Sequence, residues 1–483
     1  MKEMNQAPWK KNQELELRIE DLGSEGEGIG KVDGFPFFVK DTLPGDVVKV
    51  TVMKAKKNMA FARLQKIISP SPDRITPPCD VYRSCGGCQI QAMDYKRQLA
   101  FKRDKVYNCL KRIGGFEEAL LDRIMQAPVG MEDPRHYRCK AQYPLGRDKE
   151  GRAIAGFYAG HTHSIIPHTD CEIGAAENKA VLEAVLEYAG EAGKGKKGND
   201  LIYNEATGEG LLRHVLIRKS HATGGLMVCL IINGEQVPDQ ELLIGKLSAI
   251  PEVKSISLNT NTERTNVIMG RKTRTIWGEE TIEDTLRLWE KGKLTGEEVR
   301  YRISPNSFFQ VNPVQTEQLY SLALSYAELT GNETVWDLYC GLGSISLFLA
   351  QRAKKVYGVE IIPQAIEDAK KNAEDNSLLN TEFFVGKAEE VLPAWYEKNP
   401  EEQIDVIVVD PPRKGCDAAC LSTMLQMAPK RIVYVSCDPA TLARDLKILC
   451  EDGRYELTEV TPVDMFPQTV HVETVVLLTR QNT

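Results

Sequence analysis

From residue 301 onward the chain alternates short β-branched runs with helix-length amphipathic stretches. Strands separated by helices pair in parallel and are covered on both faces, so this rhythm predicts a doubly wound α/β sheet. Thr334-Val335-Trp336-Asp337-Leu338-Tyr339 reads as its first strand, Cys340-Gly341-Leu342-Gly343-Ser344 as the turn and residues 345–352 as the first helix. A strand over 356–359 ending at Glu360 and a helix over 363–375 complete a βαβ unit. Further strands are expected at 383–385, 404–409, 432–435, 457–463 and 474–478.

Ligands of open α/β sheets bind at the carboxyl ends of the strands, which makes the residues there the candidates for chemistry. Gly341-Leu342-Gly343 lacks the third glycine of the dinucleotide fingerprint, which favours a ligand lying close to the turn over a pyrophosphate. Glu360 stands where a carboxylate accepts both hydroxyls of a ribose. Asp410-Pro411-Pro412-Arg413 ends the fourth strand, and the two prolines fix a rigid exit that holds the carboxylate over the mouth of the sheet. Cys437 follows the apolar run 432–435, with Asp438-Pro439 as N-cap and first turn of the next helix. A helix N-terminus favours the thiolate, whereas a negative charge at Asp438 opposes it. Glu473, opening the last strand, is a candidate base, since a carboxylate in a closed pocket has its pKa raised towards that task.

At 483 residues the chain is expected to hold about three domains. Residues 1–13 contain no apolar core segment and nowhere do eighteen apolar residues run together, so neither secretion nor membrane spanning is expected. Twelve cysteines over this length are no disulfide framework, which suggests a reducing cytosol with some thiols kept for metal or catalysis. The net charge of −7 excludes a uniformly basic nucleic-acid binder, but not local patches. Between residues 49 and 66 stand Lys49, Lys54, Lys56, Lys57, Arg63 and Lys66 with no acid among them. Residues 96–112 carry seven basic side chains against the single acid Asp104, on a helix expected over 93–114. Phe61, Phe101 and Tyr107 are interleaved with these patches, the composition of a surface that takes a phosphate backbone.

Residues 14–68 read as about five strands at regular spacing, a small closed barrel of the OB kind. Glu25-Gly26-Glu27-Gly28-Ile29-Gly30 and Leu43-Pro44-Gly45-Asp46 resemble the TRAM domain, an RNA-binding barrel. No helical pattern follows the glycines, so they are not read as a phosphate-cradling loop. Next come Cys79, Cys85 and Cys88, separated by glycines that let the backbone turn tightly round an ion, with Cys171 as the best placed fourth ligand. Four thiolates suit zinc and iron–sulfur alike. The CxxxCxxC spacing of radical enzymes is absent. His161, His163 and His168 are read as solvated loop residues. Residues 137–270 look like a strand-rich α+β region, and the charged stretch 272–300 like a boundary. The expected domains are thus 1–75, 76–300 and 301–483.

Asp337 to Gly343 together with Glu360 resembles the S-adenosylmethionine site of class I methyltransferases. Amino-methyltransferases place an aromatic residue after acid-Pro-Pro; Arg413 stands there instead, which speaks for a carbon target. Carbon 5 of uracil is a poor nucleophile until a thiolate adds to carbon 6, and Cys437 is one strand away. Tyr137-Arg138-Cys139-Lys140-Ala141-Gln142, Leu212-Arg213-His214-Val215 and Ser307-Phe308-Phe309-Gln310-Val311-Asn312 add to the pattern, so that nearly the whole chain resembles the RNA uracil-5-methyltransferase family. The resemblance implies a class I, Rossmann-like catalytic domain, an N-terminal TRAM barrel, and a central α+β domain with an iron–sulfur cluster. Gln310, Tyr339, Glu360 and Asp410 would line the methyl-donor site, with Asp410 also free to hold the uracil edge. Cys437 would be the nucleophile and Glu473 the base. Cys79, Cys85, Cys88 and Cys171 would hold a [4Fe-4S] cluster rather than zinc. The helix near Lys96 would pack with the catalytic domain. The implied partner is structured RNA, ribosomal (23S) before transfer RNA. No membrane partner is implied, and no heptad run suggests an obligate assembly. Two rivals are a cytosine-5 RNA methyltransferase, whose Thr-Cys or Pro-Cys-Ser settings are missing, and a non-catalytic RNA-binding protein that keeps the fold.

Overall fold

In the computed structural model, which describes residues 8–160, 162–192 and 201–481, the N-terminal strands β1 Glu14–Leu22, β2 Gly28–Val32, β3 Phe35–Val39, β4 Val47–Ala55 and β5 Ala60–Ser69 close into a barrel ordered β1-β2-β3-β5-β4. Its interior follows from strand alternation: Leu17, Ile19, Phe37, Val39, Val48, Val50 and Val52 face inward and are buried. Gly30 has to be glycine, because a Cβ there would lie 2.2 Å from the Leu17 side chain and 2.5 Å from the Arg18 carbonyl. The Leu43-to-Asp46 turn is tied by the Asp46 carboxylate, which accepts from the Leu43 and Ser71 amides at 2.7 and 2.8 Å and from Arg74 at 2.5 and 3.1 Å. The expected OB-like barrel is therefore present. His161 lies outside the described residues, as do residues 1–7 of the N-terminal reading.

The chain divides into two compact units. The first holds Met1–Lys105, Tyr158–Ser164 and Phe466–His471; the second holds Val106–Phe157, Ile165–Met465 and Val472–Thr483. Of helix α1 Tyr95–Cys109, Val106 packs with Leu110 of the following π-helical turn in the core of the second unit's C-terminal sheet. Helix α2 Glu118–Ile124 adds Leu121 and Ile124 to that core.

A central seven-stranded sheet comprises β6 Lys140–Arg147, β7 Ala153–Tyr158, β8 Ile165–Pro167, β9 Leu212–Lys219, β10 Leu226–Ile232, β11 Val253–Thr260 and β12 Lys272–Gly278, ordered β12-β11-β10-β9-β6-β7-β8. Helices α3 Asn178–Ala192 and α4 Gln240–Ser248 supply Val181, Leu182, Val185, Leu243 and Leu247 to a core on one face of it.

The stretch 272–300 is no boundary. After β12 it forms β13 Ile282–Glu290 and β14 Lys293–Ile303, an antiparallel hairpin. Ile282, Leu286, Leu288, Val299, Tyr301 and Ile303 point inward at period two, joined by the buried Asp284, while the other charges point out. The abundance of charge masked this alternation. Glu317 on α5 Pro313–Ala327 clasps the hairpin, accepting from the Arg287 guanidinium at 2.9 Å and the Trp289 indole at 2.8 Å.

The C-terminal sheet matches the expectation closely. Its strands are β15 Thr334–Leu338, β16 Lys355–Glu360, β17 Thr381–Val385, β18 Val406–Val409, β19 Arg431–Ser436, β20 Tyr455–Val463 and β21 Glu473–Arg480, ordered β17-β16-β15-β18-β19-β21-β20. The pairs up to β19 are parallel, while β21 runs antiparallel to both β19 and β20. Helices α6 Ser344–Ala350, α7 Pro363–Asp375, α8 Ala388–Lys398, α9 Ala418–Met427 and α10 Pro439–Cys450 connect them. Trp336 anchors one face, its ring 5.3 Å from Tyr357, 5.6 Å from Phe384 and 5.3 Å from Trp395.

Candidate active site

Antiparallel β21 is what brings the two ends of the site together. Ser436 pairs with Thr474, so one step beyond each, Cys437 leaves β19 opposite Glu473, which opens β21. Val409 pairs with both Leu338 and Tyr434, so Asp410 leaves β18 at the same edge. The Asp410 amide donates to the Leu338 carbonyl at 3.3 Å.

The electrostatics of these residues are joint. Burial pushes the Cys437 thiol up to about 11; Glu473 and Asp410 push the same way and Arg413 opposes them. Glu473 is 5% exposed. Burial raises its carboxyl above the usual range, with Asp410 adding to the rise and Arg413 opposing it. Burial also raises Asp410. Two carboxyls that share one site resist double ionisation. The charges acting on the thiol differ from those the sequence suggested. Asp438 caps α10, accepting from the Ala440 and Thr441 amides at 2.9 and 3.1 Å, and the opposing acids are Glu473 and Asp410.

A second cluster continues from Asp410 along the sheet. Asp337 is buried and raised to about 7, first by desolvation, with Asp410 and Glu360 contributing. Its Oδ2 accepts from the Ser346 hydroxyl at 2.5 Å, while Oδ1 is buried with no hydrogen-bond partner. Glu360 accepts from the Gly341 amide at 3.3 Å and the Ile362 amide at 3.0 Å. Gly341 has φ +57°, and no atom lies within 4 Å of where a Cβ would stand. The turn thus presents bare backbone. Burial raises the phenol of Tyr320, the Asp410 charge adds to the rise, and the neighbouring Ser344 and Gln310 oppose it. Gln310 therefore joins this cluster through Tyr320.

Tyr339 differs from the rest. Its backbone sits at the mouth with φ +68°, but its side chain turns towards Cys416, Cys420 and Glu389. The sequence reading passed over Asp337, although it lay inside the quoted motif, and over Tyr320, which carries no motif signal. Arg413 was noted only as a replaced aromatic residue.

All twelve cysteines stand as thiols. Cys79, Cys85 and Cys88 share one loop of the first unit. There the Gly87 amide donates to Cys85 Sγ at 3.4 Å and the Gln91 amide nitrogen lies 4.0 Å from Cys88 Sγ. Cys171 belongs to the second unit. Thiols with amide donors directed at sulfur are the right chemistry for an iron–sulfur cluster. Yet among the described residues no group of three or more His, Cys, Asp or Glu side chains is gathered closely enough to hold a metal ion.

A seven-stranded sheet of this order, with bare turn backbone and acids at the carboxyl ends of β15, β16 and β18, defines a class I S-adenosylmethionine-dependent methyltransferase. The unpartnered Asp337 Oδ1, open Gly341 and the nearby carboxylates suit a cationic nucleoside donor. Residues 252–481 match the tRNA (Uracil-5-)-methyltransferase family, and residues 8–64 match the TRAM domain. An uncharacterised RNA methyltransferase of Halalkalibacterium halodurans is 50% identical, covering 99% of both chains. One from Clostridium acetobutylicum is 49% identical over 98% of both. The crystal structure of Pyrococcus abyssi tRNA (uracil-54, C5)-methyltransferase with S-adenosyl-L-homocysteine superposes with a TM-score of 0.72 at 28% identity, covering 96% of this chain and all of that one. The chain belongs to the RNA uracil-5-methyltransferase family.

Proposed function

We propose that the protein methylates carbon 5 of a uridine in 23S ribosomal RNA, in the cytosol, through a transient bond between Cys437 and carbon 6. The observation that carries the mechanism is the meeting of Cys437, Glu473 and Asp410 at one strand edge, with the Arg413 charge acting on the thiol and on Glu473. S-adenosylmethionine would supply an electrophilic methyl group, its sulfonium leaving as the neutral thioether of S-adenosylhomocysteine. The Cys437 thiolate adds to carbon 6, which moves an electron pair into an enolate whose carbon 5 takes the methyl. Glu473 then removes the proton from carbon 5; the double bond re-forms and the sulfur leaves. A base raised by burial is matched to that proton. Asp410 holds the uracil edge. Gln310, Tyr339, Glu360 and Asp410 line the donor site, with Glu360 towards the ribose hydroxyls and Tyr339 contributing backbone.

The base has to leave its stack to reach Cys437. The barrel offers a surface for the flanking unpaired nucleotides. The Phe38 and Phe61 rings are 5.6 Å apart, Lys56 lies 5.5 Å from the Phe61 ring, and Lys54 pairs opposite Phe61. Cys79, Cys85, Cys88 and Cys171 are proposed to hold a [4Fe-4S] cluster that shapes an RNA-contact surface. Iron and sulfide in anaerobically purified protein, lost in Cys85→Ser, would support it. If removing the cluster leaves folding and RNA affinity intact, the structural role fails.

Ribosomal RNA is favoured by the combination of barrel and four cysteines. Transfer RNA is the second reading, favoured by the description of the Pyrococcus protein. Mapping 5-methyluridine in both RNAs from cells lacking this protein separates them. Loss from 23S RNA is expected, and loss confined to transfer RNA would move the target.

A further inference from the structure

Strands β6 and β9 are antiparallel, and Lys140 lies directly opposite Arg218. Like charges in that position destabilise a sheet. Arg138 is a third cation beside them, its Nε donating to the Lys140 carbonyl at 3.0 Å. Burial and the two guanidinium groups pull the Lys140 amine down to about 8.

The bonds of the acids in this neighbourhood go to other groups. Glu177 pairs with Lys219 through Oε1 at 2.6 Å, and its Oε2 is buried with no hydrogen-bond partner. Asp284 accepts from the amides of His221, Ala222 and Thr285 at 3.0, 2.9 and 2.9 Å. Arg218 is 3% exposed. It donates to the Pro305 and Ser307 carbonyls, and its Nε is buried with no hydrogen-bond partner. Positive charge this poorly compensated is costly unless an anion completes it.

Its location gives the anion a role. Cys139, between Arg138 and Lys140, donates from Sγ to the Gln310 carbonyl at 3.4 Å, and its amide donates to the Val311 carbonyl at 2.7 Å. Arg218 grips Ser307 in the same segment. The cations therefore flank the backbone that carries Gln310.

We propose that Lys140 and Arg138, with the buried Arg218 behind them opposite Lys140 across β6 and β9, form a phosphate-binding site that grips the RNA backbone next to the Gln310 segment. This rests on the reading of the protein as an RNA methyltransferase. Several cations around one point suit a phosphodiester, and neutralising a phosphate releases counterions, which makes the contact visible in salt dependence.

The test measures the affinity of full-length protein for transcribed 23S ribosomal RNA and transfer RNA across a potassium chloride series. Lys140→Gln should weaken binding and lower the slope of log affinity against log salt by about 0.7 to 0.9. Lys140→Arg should restore the slope, and the Michaelis constant for S-adenosylmethionine should hold. Arg138→Gln provides the same readout should Lys140→Gln fold poorly. An unchanged slope in a folded variant overturns the proposal. A raised S-adenosylmethionine constant with an unchanged slope also overturns it, assigning the cations to the donor's carboxylate. Failure of the wild type to bind or methylate either RNA would instead fault the underlying functional reading.

Discussion

Two regions of the second unit concentrate charge of opposite sign. At the mouth of the C-terminal sheet, Asp337, Glu360 and Asp410 act on one another, and Asp410 and Glu473 act on Cys437 with Arg413 opposing. At the start of β6, Lys140, Arg138 and Arg218 stand together while Glu177 and Asp284 are engaged by other groups. An acidic mouth favours a cationic methyl donor and provides a proton acceptor, but it holds the nucleophilic thiol protonated. A cationic ladder favours a polyanion and does no bond chemistry. Changes in the first region should therefore alter covalent steps and leave the salt dependence of RNA binding alone, and changes in the second should do the reverse.

The largest effect is expected from Cys437→Ala, which should remove both methyl transfer and any covalent RNA complex in a filter-retention assay while the salt slope holds. Glu473→Gln should slow turnover by about 10²- to 10⁴-fold. Its signature is a covalent intermediate that accumulates on a denaturing gel, because the thiol adds but cannot leave. A smaller effect is expected from Arg413→Gln. Removing the cation that opposes Glu473 and Asp410 should move the pH of half-maximal Cys437 alkylation upward, as followed with iodoacetamide.

The smallest effect concerns stability. Glu473 is raised above its unfolded value, so its contribution is full below the ordinary glutamate range and is lost as pH rises through the raised value. Glu473→Gln should consequently melt higher than wild type at neutral pH, and the gain should shrink as pH falls towards the ordinary carboxylate range. A melting difference that grows on acidification would contradict the buried, raised carboxyl.

Much of the fold was legible because local signals agreed with the global arrangement. The β-branched runs at 356–359 and 432–435 became strands of a parallel sheet covered on both faces, and the glycine-rich and Leu43-to-Asp46 motifs became the barrel. Legibility ended where tertiary register decides. Cys437 and Glu473 were linked by chemical reasoning, yet only the reversed β21 shows why they meet. The Lys140–Arg218 pairing left no trace in sequence, since it depends on how β6 aligns with β9. Residues 272–300 were misread because outward charges hid a period-two apolar face. Tyr339 showed a motif position without showing that its side chain turns to Cys416 and Cys420.

The central claim is that Cys437 bonds to carbon 6 of the target uridine. It is tested most directly by incubating the protein with S-adenosylmethionine and 5-fluorouridine-substituted 23S ribosomal RNA, digesting both chains, and sequencing cross-linked peptides by mass spectrometry. Fluorine at carbon 5 blocks the proton removal assigned to Glu473, so the account predicts a methylated fluorouridine nucleotide attached to the peptide containing Cys437. Methyl transfer to ordinary RNA with no adduct on the fluorinated RNA, or an adduct on a different cysteine, would contradict it.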